Sequence, residues 1–120
     1  MHELALAQNI LDIVHGNVPP ADLPRVAHIA LVVGEQSGVV PASLSFCLEA
    51  LCDRTPLQHS RVTIAIEPYV LRCTSCGIVS RQPAGWASCA ACGGRETSVM
   101  SGVDVRVQSI HLADDVVETV

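Results

Sequence analysis

Apolar positions along the first half of the chain recur alternately at helical and strand periods. Leu4, Ala7, Leu11 and Val14 follow one another at spacings of three and four, with Ile10 beside them, which predicts an amphipathic helix over residues 3–16. Gly16 supplies a stop and Pro19-Pro20 a break. His15 falls in the last turn, where an imidazolium suits the helix dipole. Residues 25–33 are almost wholly apolar and predict a strand that is central or covered on both faces. Gly34 to Gly38 reads as a turn. Pro41 suits the first turn of a second helix running to about Asp53, with Leu44, Leu48 and Leu51 on its buried face.

The second half changes period. Val62, Ile64 and Ile66 alternate with polar or small residues, predicting a half-buried strand ended by Pro68. Val103, Val105 and Val107 alternate in the same way. The apolar phase then shifts to Ile110 and Leu112, which predicts a bulge near Ser109. Residues 71–98, lying between these strands, are rich in Cys, Ser, Gly and Ala and hold few large apolar side chains. Such a segment cannot build its own core and needs a metal. The expected fold is α+β: a small mixed domain of two helices and a three-stranded sheet, with a four-cysteine zinc-ribbon module inserted. On this division residues 1–70 and 99–120 make the main domain and residues 71–98 the module. The tail from Ala113 onward is acidic and reads as mobile.

Composition narrows the function. The chain has 120 residues, 49% of them hydrophobic but only 2% aromatic, so the core must be built from Val, Leu, Ile and Ala. The net charge is −5 and every basic residue is arginine. That balance argues against nucleic acid and against anionic membranes as partners. The first basic residue is Arg25 and the longest clearly apolar run is Ile29 to Val33, so neither a secretory signal nor a membrane span is expected. The expected compartment is the cytosol, where thiols stay reduced and paired cysteines bind metal more often than they form disulfides.

Cys73-Thr-Ser-Cys76 is followed, after twelve intervening residues, by Cys89-Ala-Ala-Cys92, and glycine follows each pair. Two residues between cysteines let both sulfurs turn to one point, and the glycines accept the tight backbone. Four thiolates close a tetrahedral shell around Zn(II), so the site is expected to be structural, not catalytic. Disulfides, redox chemistry and iron–sulfur ligation are the alternatives. Cys47 and Cys52 fall on the second helix and read as small buried hydrophobes. The module carries Arg72, Arg81 and Arg95 against Glu96. Four thiolates on Zn(II) add about −2 and leave it near neutral, a poor footprint for nucleic acid.

Met1-His2-Glu3 is the second candidate site. A bulky residue in second place keeps Met1 in the chain. The terminal amine, the His2 amide and the His2 imidazole, with the Glu3 amide or another donor, then offer a square-planar set suited to Ni(II) or Cu(II). His28 reads as a core or edge residue of its strand, and His59, in a loop beside Pro56, equally as a second weak ligand or an exposed residue. His111 has no evident partner, and Trp86 reads as packing over the module. Glu35 and Asp53 are expected at turns or helix ends. No Ser-His-Asp set, phosphate loop or acid–base pair suggests an enzyme.

These features together resemble the HypA/HybF family of hydrogenase nickel-insertion proteins. The resemblance runs through Met1 to Leu6, Gly34 to Val39, Leu44-Ser45-Phe46, both cysteine pairs and Gly102 to Ile110. It implies that His2 is the essential nickel ligand, that Glu3 shapes the site, and that Cys73, Cys76, Cys89 and Cys92 hold zinc. It further implies delivery of Ni(II) to the hydrogenase large-subunit precursor with a HypB-type GTPase, and a role in urease maturation for some relatives. Two departures stand out. Some members carry histidines beside the zinc cysteines, where this chain has Thr74, Gly77, Ser88 and Gly93. Some place a carboxylate near Val40. The rival function is a zinc-ribbon adaptor or nucleic-acid-binding module without nickel transfer. A monomer or a homodimer is compatible with the sequence.

Overall fold

The computed structural model describes residues 3–82, 88–113 and 117–119. Helix α1 spans Glu3–Asn17 and buries Ala7, Ile10 and Val14, the positions one turn apart on a single face. The buried stripe is therefore centred on Ile10; Leu4 is exposed and Leu11 half-buried. The Asn17 side chain donates to the Ile13 carbonyl at 2.8 Å, satisfying one carbonyl of the last turn. A 3-10 turn over Pro20–Arg25 follows, placing Arg25 before the strand instead of in it.

Strand β1 is Val26–Gly34, with Ile29, Leu31 and Val33 at 0–1% exposure. Helix α2 is Pro41–Cys52, opened by Pro41 and buried through Leu44, Leu48 and Cys52, each one turn after the last. The two helices pack on one another. Cys52 is buried as expected, whereas Cys47 is only half-buried. Strand β2 is Arg61–Glu67, with Val62 and Ile64 half-buried and Ile66 exposed. Strands β3 (Val70–Cys73), β4 (Val79–Arg81) and β5 (Thr97–Ser101) follow, then β6 (Val105–Leu112) and β7 (Val117–Thr119).

Two sheets result. The first has the order β2-β1-β6-β7. Its first three strands are the three expected. The fourth, β7, lies in the acidic tail and pairs antiparallel with β6, Ser109 facing Thr119 and His111 facing Val117. Buried Val107, Ile110 and Leu112 on β6 show the shift of apolar phase seen in the sequence. Val103 falls outside the strand and is exposed. The second sheet has the order β4-β3-β5 and is antiparallel throughout, with an irregularity between Val70 and Leu71.

The chain divides into two compact units. The first comprises residues 1–32, 39–65 and 106–120, and its buried side chains are overwhelmingly aliphatic. The second comprises residues 33–38 and 66–105. In it the turn after β1 is stitched by three backbone hydrogen bonds: Gly34 N–H to Asp104 O, Glu35 N–H to Glu67 O and Gln36 N–H to Gly102 O, at 2.7, 2.8 and 2.7 Å. The Glu35 carboxylate adds two more. Oε1 accepts the Tyr69 N–H at 3.1 Å and Oε2 accepts the Arg81 guanidinium at 2.9 Å.

Candidate metal centre

Both cysteine pairs sit on turns of the same construction. In the first, Cys73 N–H donates to Ile78 O and Gly77 N–H donates back to Cys73 O, at 2.9 and 2.8 Å. In the second, Cys89 N–H donates to Gly94 O and Gly93 N–H to Cys89 O, at 2.8 and 2.9 Å. Gly77 and Gly93 occupy matching places with φ of 78° and 73°, in the left-handed region open to glycine. The repeat of the sequence motif is thus a repeat of the backbone. Each loop turns both of its sulfurs to the same side.

The two turns face each other. Cys73 Sγ lies 3.6 Å from Cys92 Sγ, and Cys76 Sγ 3.6 Å from Cys89 Sγ. All four sulfurs lie within 4.8 Å of one another. A tetrahedral zinc with bonds of about 2.3 Å needs sulfurs about 3.8 Å apart, so the arrangement fits that ion. Cys73 and Cys89 are buried while Cys76 and Cys92 are exposed, so the cluster has one sealed side and one open side. Ala91 N–H points at Cys89 Sγ and Gly94 N–H at Cys92 Sγ, each at 3.4 Å. Gly94 sits in tight space. A Cβ there would stand 3.2 Å from Cys92 Sγ and 3.4 Å from Ser75 Oγ.

The sulfurs are electrostatically unequal. The Cys76 backbone N–H, helped by the Cys92 thiol and the Ser75 N–H, outweighs burial and pulls the Cys73 thiol down to about 6. For Cys76 the Ile78 N–H favours the thiolate, but burial and the neighbouring Cys89, Cys73 and Cys92 sulfurs outweigh it and push the thiol up to about 12. Cys89 is lowered by the Cys92 and Ala91 N–H groups. Cys92 is raised: the Gly94 N–H pulls it down, but the Cys73 and Cys89 sulfurs outweigh that pull. Each close pair therefore holds one sulfur that favours thiolate and one that favours thiol. A cation among them is what lets all four carry charge together.

The other residues singled out in the sequence fall elsewhere. Met1, His2 and Trp86 lie outside the described residues. Glu3 is the first residue of α1 and is half-buried. Val40 precedes α2 and is 53% exposed. His15 and His59 are exposed, and Asp53 ends α2. His28 is half-buried, and its Nε2 lies 2.6 Å from Thr63 Oγ1. Its ring centre stands 5.1 Å from that of His111. That pairing, and the hold of Glu35 on Arg81, had no sequence signal, because the partners are far apart in the chain. The doubled Gly93-Gly94 was the available clue to the crowding at Cys92. No helix among the described residues is long and apolar enough to cross a membrane.

Comparison with known proteins follows the same lines. The family model described as hydrogenase/urease nickel incorporation, metallochaperone, hypA, matches residues 1–112. A hydrogenase maturation factor HypA of Desulfosudis oleivorans is 34% identical over 115 residues, covering 95% of this chain and 100% of that protein. One of Streptomyces avermitilis is 36% identical over 118 residues, covering 95% of this chain and 88% of that protein. The solution structure of the Ni metallochaperone HypA from Helicobacter pylori superposes with a TM-score of 0.68 over 93% of this chain and 97% of that one, at 17% identity, and so supports the fold. With the family model spanning nearly the whole chain and relatives above 30% identity over nearly all of it, the chain belongs to the HypA family of nickel metallochaperones of hydrogenase maturation.

Proposed function

We propose that this chain carries Ni(II) at its amino terminus and passes it to the hydrogenase large-subunit precursor. In this reading His2 supplies the essential imidazole, the Met1 amine and Glu3 supply supporting donors, and Cys73, Cys76, Cys89 and Cys92 hold a structural zinc. The observation that carries it is the family match from residue 1 onward, joined to a four-sulfur cluster shaped for zinc. Because four thiolates saturate zinc, that cluster leaves no position for a travelling ion. Nickel needs a separate, open-edged site from which an acceptor can take it by ligand exchange. A terminal chelate has that property.

The main domain, residues 1–70 and 99–120, is assigned to nickel and residues 71–98 to zinc. A HypB-type GTPase is the expected partner in delivery, and urease a further destination, as in some relatives. The net charge of −5 and the absence of lysine support neither nucleic acid nor an anionic membrane as a partner. The expected compartment is the cytoplasm. The function is carriage, without catalysis, since a closed thiolate shell offers neither a bound water nor a Lewis-acid position.

Calorimetric titration of Ni(II) into untagged, zinc-loaded protein tests this reading. One nickel should bind per chain. His2→Ala should weaken it by more than the ~10–100-fold expected for losing an outer-shell partner. Zinc content should not change. Unaltered nickel affinity in His2→Ala would overturn the assignment.

A further inference from the structure

Apart from the cysteine cluster, two side chains with metal-binding chemistry stand close together, His28 on β1 and His111 on β6. These strands are neighbours in the first sheet, and the two rings stand 5.1 Å apart, tilted by 42°. Each ring has one nitrogen occupied. His28 Nε2 lies 2.6 Å from Thr63 Oγ1, and His111 Nε2 lies 3.1 Å from Ser109 Oγ. Neither Nδ1 has a hydrogen-bond partner among the described residues.

The hydroxyls allow either tautomer, and one of the two is suited to a metal. If Thr63 and Ser109 donated, each Nδ1 would carry a proton with no acceptor beside it. With the hydroxyl oxygens accepting, each Nε2 carries the proton and each Nδ1 presents a lone pair. That is the usual arrangement of metal-binding imidazoles, in which the second nitrogen donates to a partner that fixes ring and tautomer. The spacing agrees as well. Two imidazoles on one ion, with bonds of about 2.1 Å, place their ring centres about 4.6 Å apart at a right angle and about 5.3 Å apart at a tetrahedral angle, and the observed 5.1 Å falls between the two.

We propose that His28 and His111 form a second metal site on the first sheet, binding one late first-row divalent cation, Cu(II), Ni(II) or Zn(II), through both Nδ1 atoms. Imidazole pairs select these ions over Mg(II) and Ca(II), which demand oxygen ligands. Burial, then the charges of Arg61 and His111, hold the His28 imidazole below its usual range, so it stays neutral and available at neutral pH. The Arg61 charge also opposes a cation, so this site binds more weakly than a terminal chelate. It requires neither His2 nor the cysteines.

The test uses the zinc-loaded full chain carrying His2→Ala, so that the amino terminus does not report. Ni(II) and Cu(II) are titrated in turn while the histidine ring signals are followed by NMR. The His28 and His111 signals should move or broaden together as one cation binds, ahead of those of His15 and His59. His28→Gln and His111→Gln should each weaken this binding at least about tenfold, while zinc content and circular dichroism stay unchanged. Thr63→Val, which frees the His28 tautomer, should weaken it less. If the cation leaves both rings unperturbed, or if neither glutamine variant changes the affinity, the site does not exist. That outcome is independent of the terminal site, which is read by comparing His2→Ala with the unaltered chain.

Discussion

Gly34 meets Gly102 with no room for a side chain: a Cβ on Gly34 would stand 2.4 Å from the Gly102 carbonyl carbon and 2.5 Å from its oxygen. Gly102 is itself hemmed in, since its own Cβ would stand 2.4 Å from Tyr69 Cα, and its φ is +94°. The obstacles are backbone atoms, which cannot rotate aside. Gly34→Ala should therefore destabilise the protein by at least the ~1–3 kcal/mol typical of overpacking, and Gly102→Ala by more, because left-handed strain adds to the clash. Gly16, near the end of α1 with nothing within 4 Å of its Cβ position, is the control. Gly16→Ala should be neutral or stabilising by up to ~1 kcal/mol. Urea denaturation of the three variants checks the order.

This close approach also marks what the sequence could and could not reveal. Helices α1 and α2 were legible because their buried positions recur every turn over several turns, Ala7–Ile10–Val14 and Leu44–Leu48–Cys52. Strand β1 was legible as one long apolar run. Strands β3, β4 and β5 were not, since three to five residues such as Val79–Arg81 are too short to display a period. Strand β7 was missed for the same reason, within an acidic tail. At the metal centre the four cysteines announced themselves by spacing, and Gly77 and Gly93 by position. The Glu35–Arg81 pair, 46 positions apart, exists only through the fold. The same holds for His28 and His111, which read in the sequence as a strand residue and a histidine with no evident partner.

Two residues of α2 separate core from surface. Leu44 is fully buried, whereas Phe46, two positions on, is 72% exposed. Leu44→Ala should cost about 2–5 kcal/mol, the range for emptying a packed aliphatic position. Phe46→Ala should change stability by no more than ~0.5 kcal/mol despite removing a larger side chain. Thermal or urea unfolding of the two variants settles the contrast, and equal losses would mean that Phe46 is covered in solution.

Acid should loosen the second unit through Glu35. The hydrogen bond from Arg81, then that from the Tyr69 N–H, hold the Glu35 carboxyl below its ordinary 4.5. A depressed carboxyl adds stability above its unfolded value and loses it as pH falls through the folded value. The contribution should thus be whole near neutrality and fade below pH 4.5. Glu35→Gln should be less stable than the unaltered chain at pH 7, with the gap closing in acid. His28 acts in a higher window with the same slope. Its imidazole is lowered from 6.5, so the unfolded chain takes up the proton first and stability declines as pH drops below that value. His28→Gln should flatten that part of the profile, measured as urea midpoints at closely spaced pH values.

Removal of the structural metal should separate the two units experimentally. The second unit has a three-stranded sheet and few large buried side chains beyond Tyr69 and Leu71, with Cys73 and Cys89 themselves among its buried residues. Much of what orders it is therefore the ion that the four sulfurs would share. A strong chelator should abolish amide protection in β3, β4 and β5, while α1 and α2, whose core is aliphatic, keep their helical circular dichroism. Cys73→Ser should act like the chelator, since it removes a buried ligand whose sulfur lies 3.6 Å from Cys92 Sγ. Gly94→Ala should be milder: its Cβ, 3.2 Å from Cys92 Sγ, displaces one ligand without deleting it. Zinc affinity should then fall in the order unaltered chain, Gly94→Ala, Cys73→Ser, read by competition with a chromogenic chelator. Since thiols must lose protons to bind the ion, all affinities should rise with pH. Protection in β3 to β5 that survives complete zinc removal would show that the sheet folds on its own residues and that the metal only decorates it.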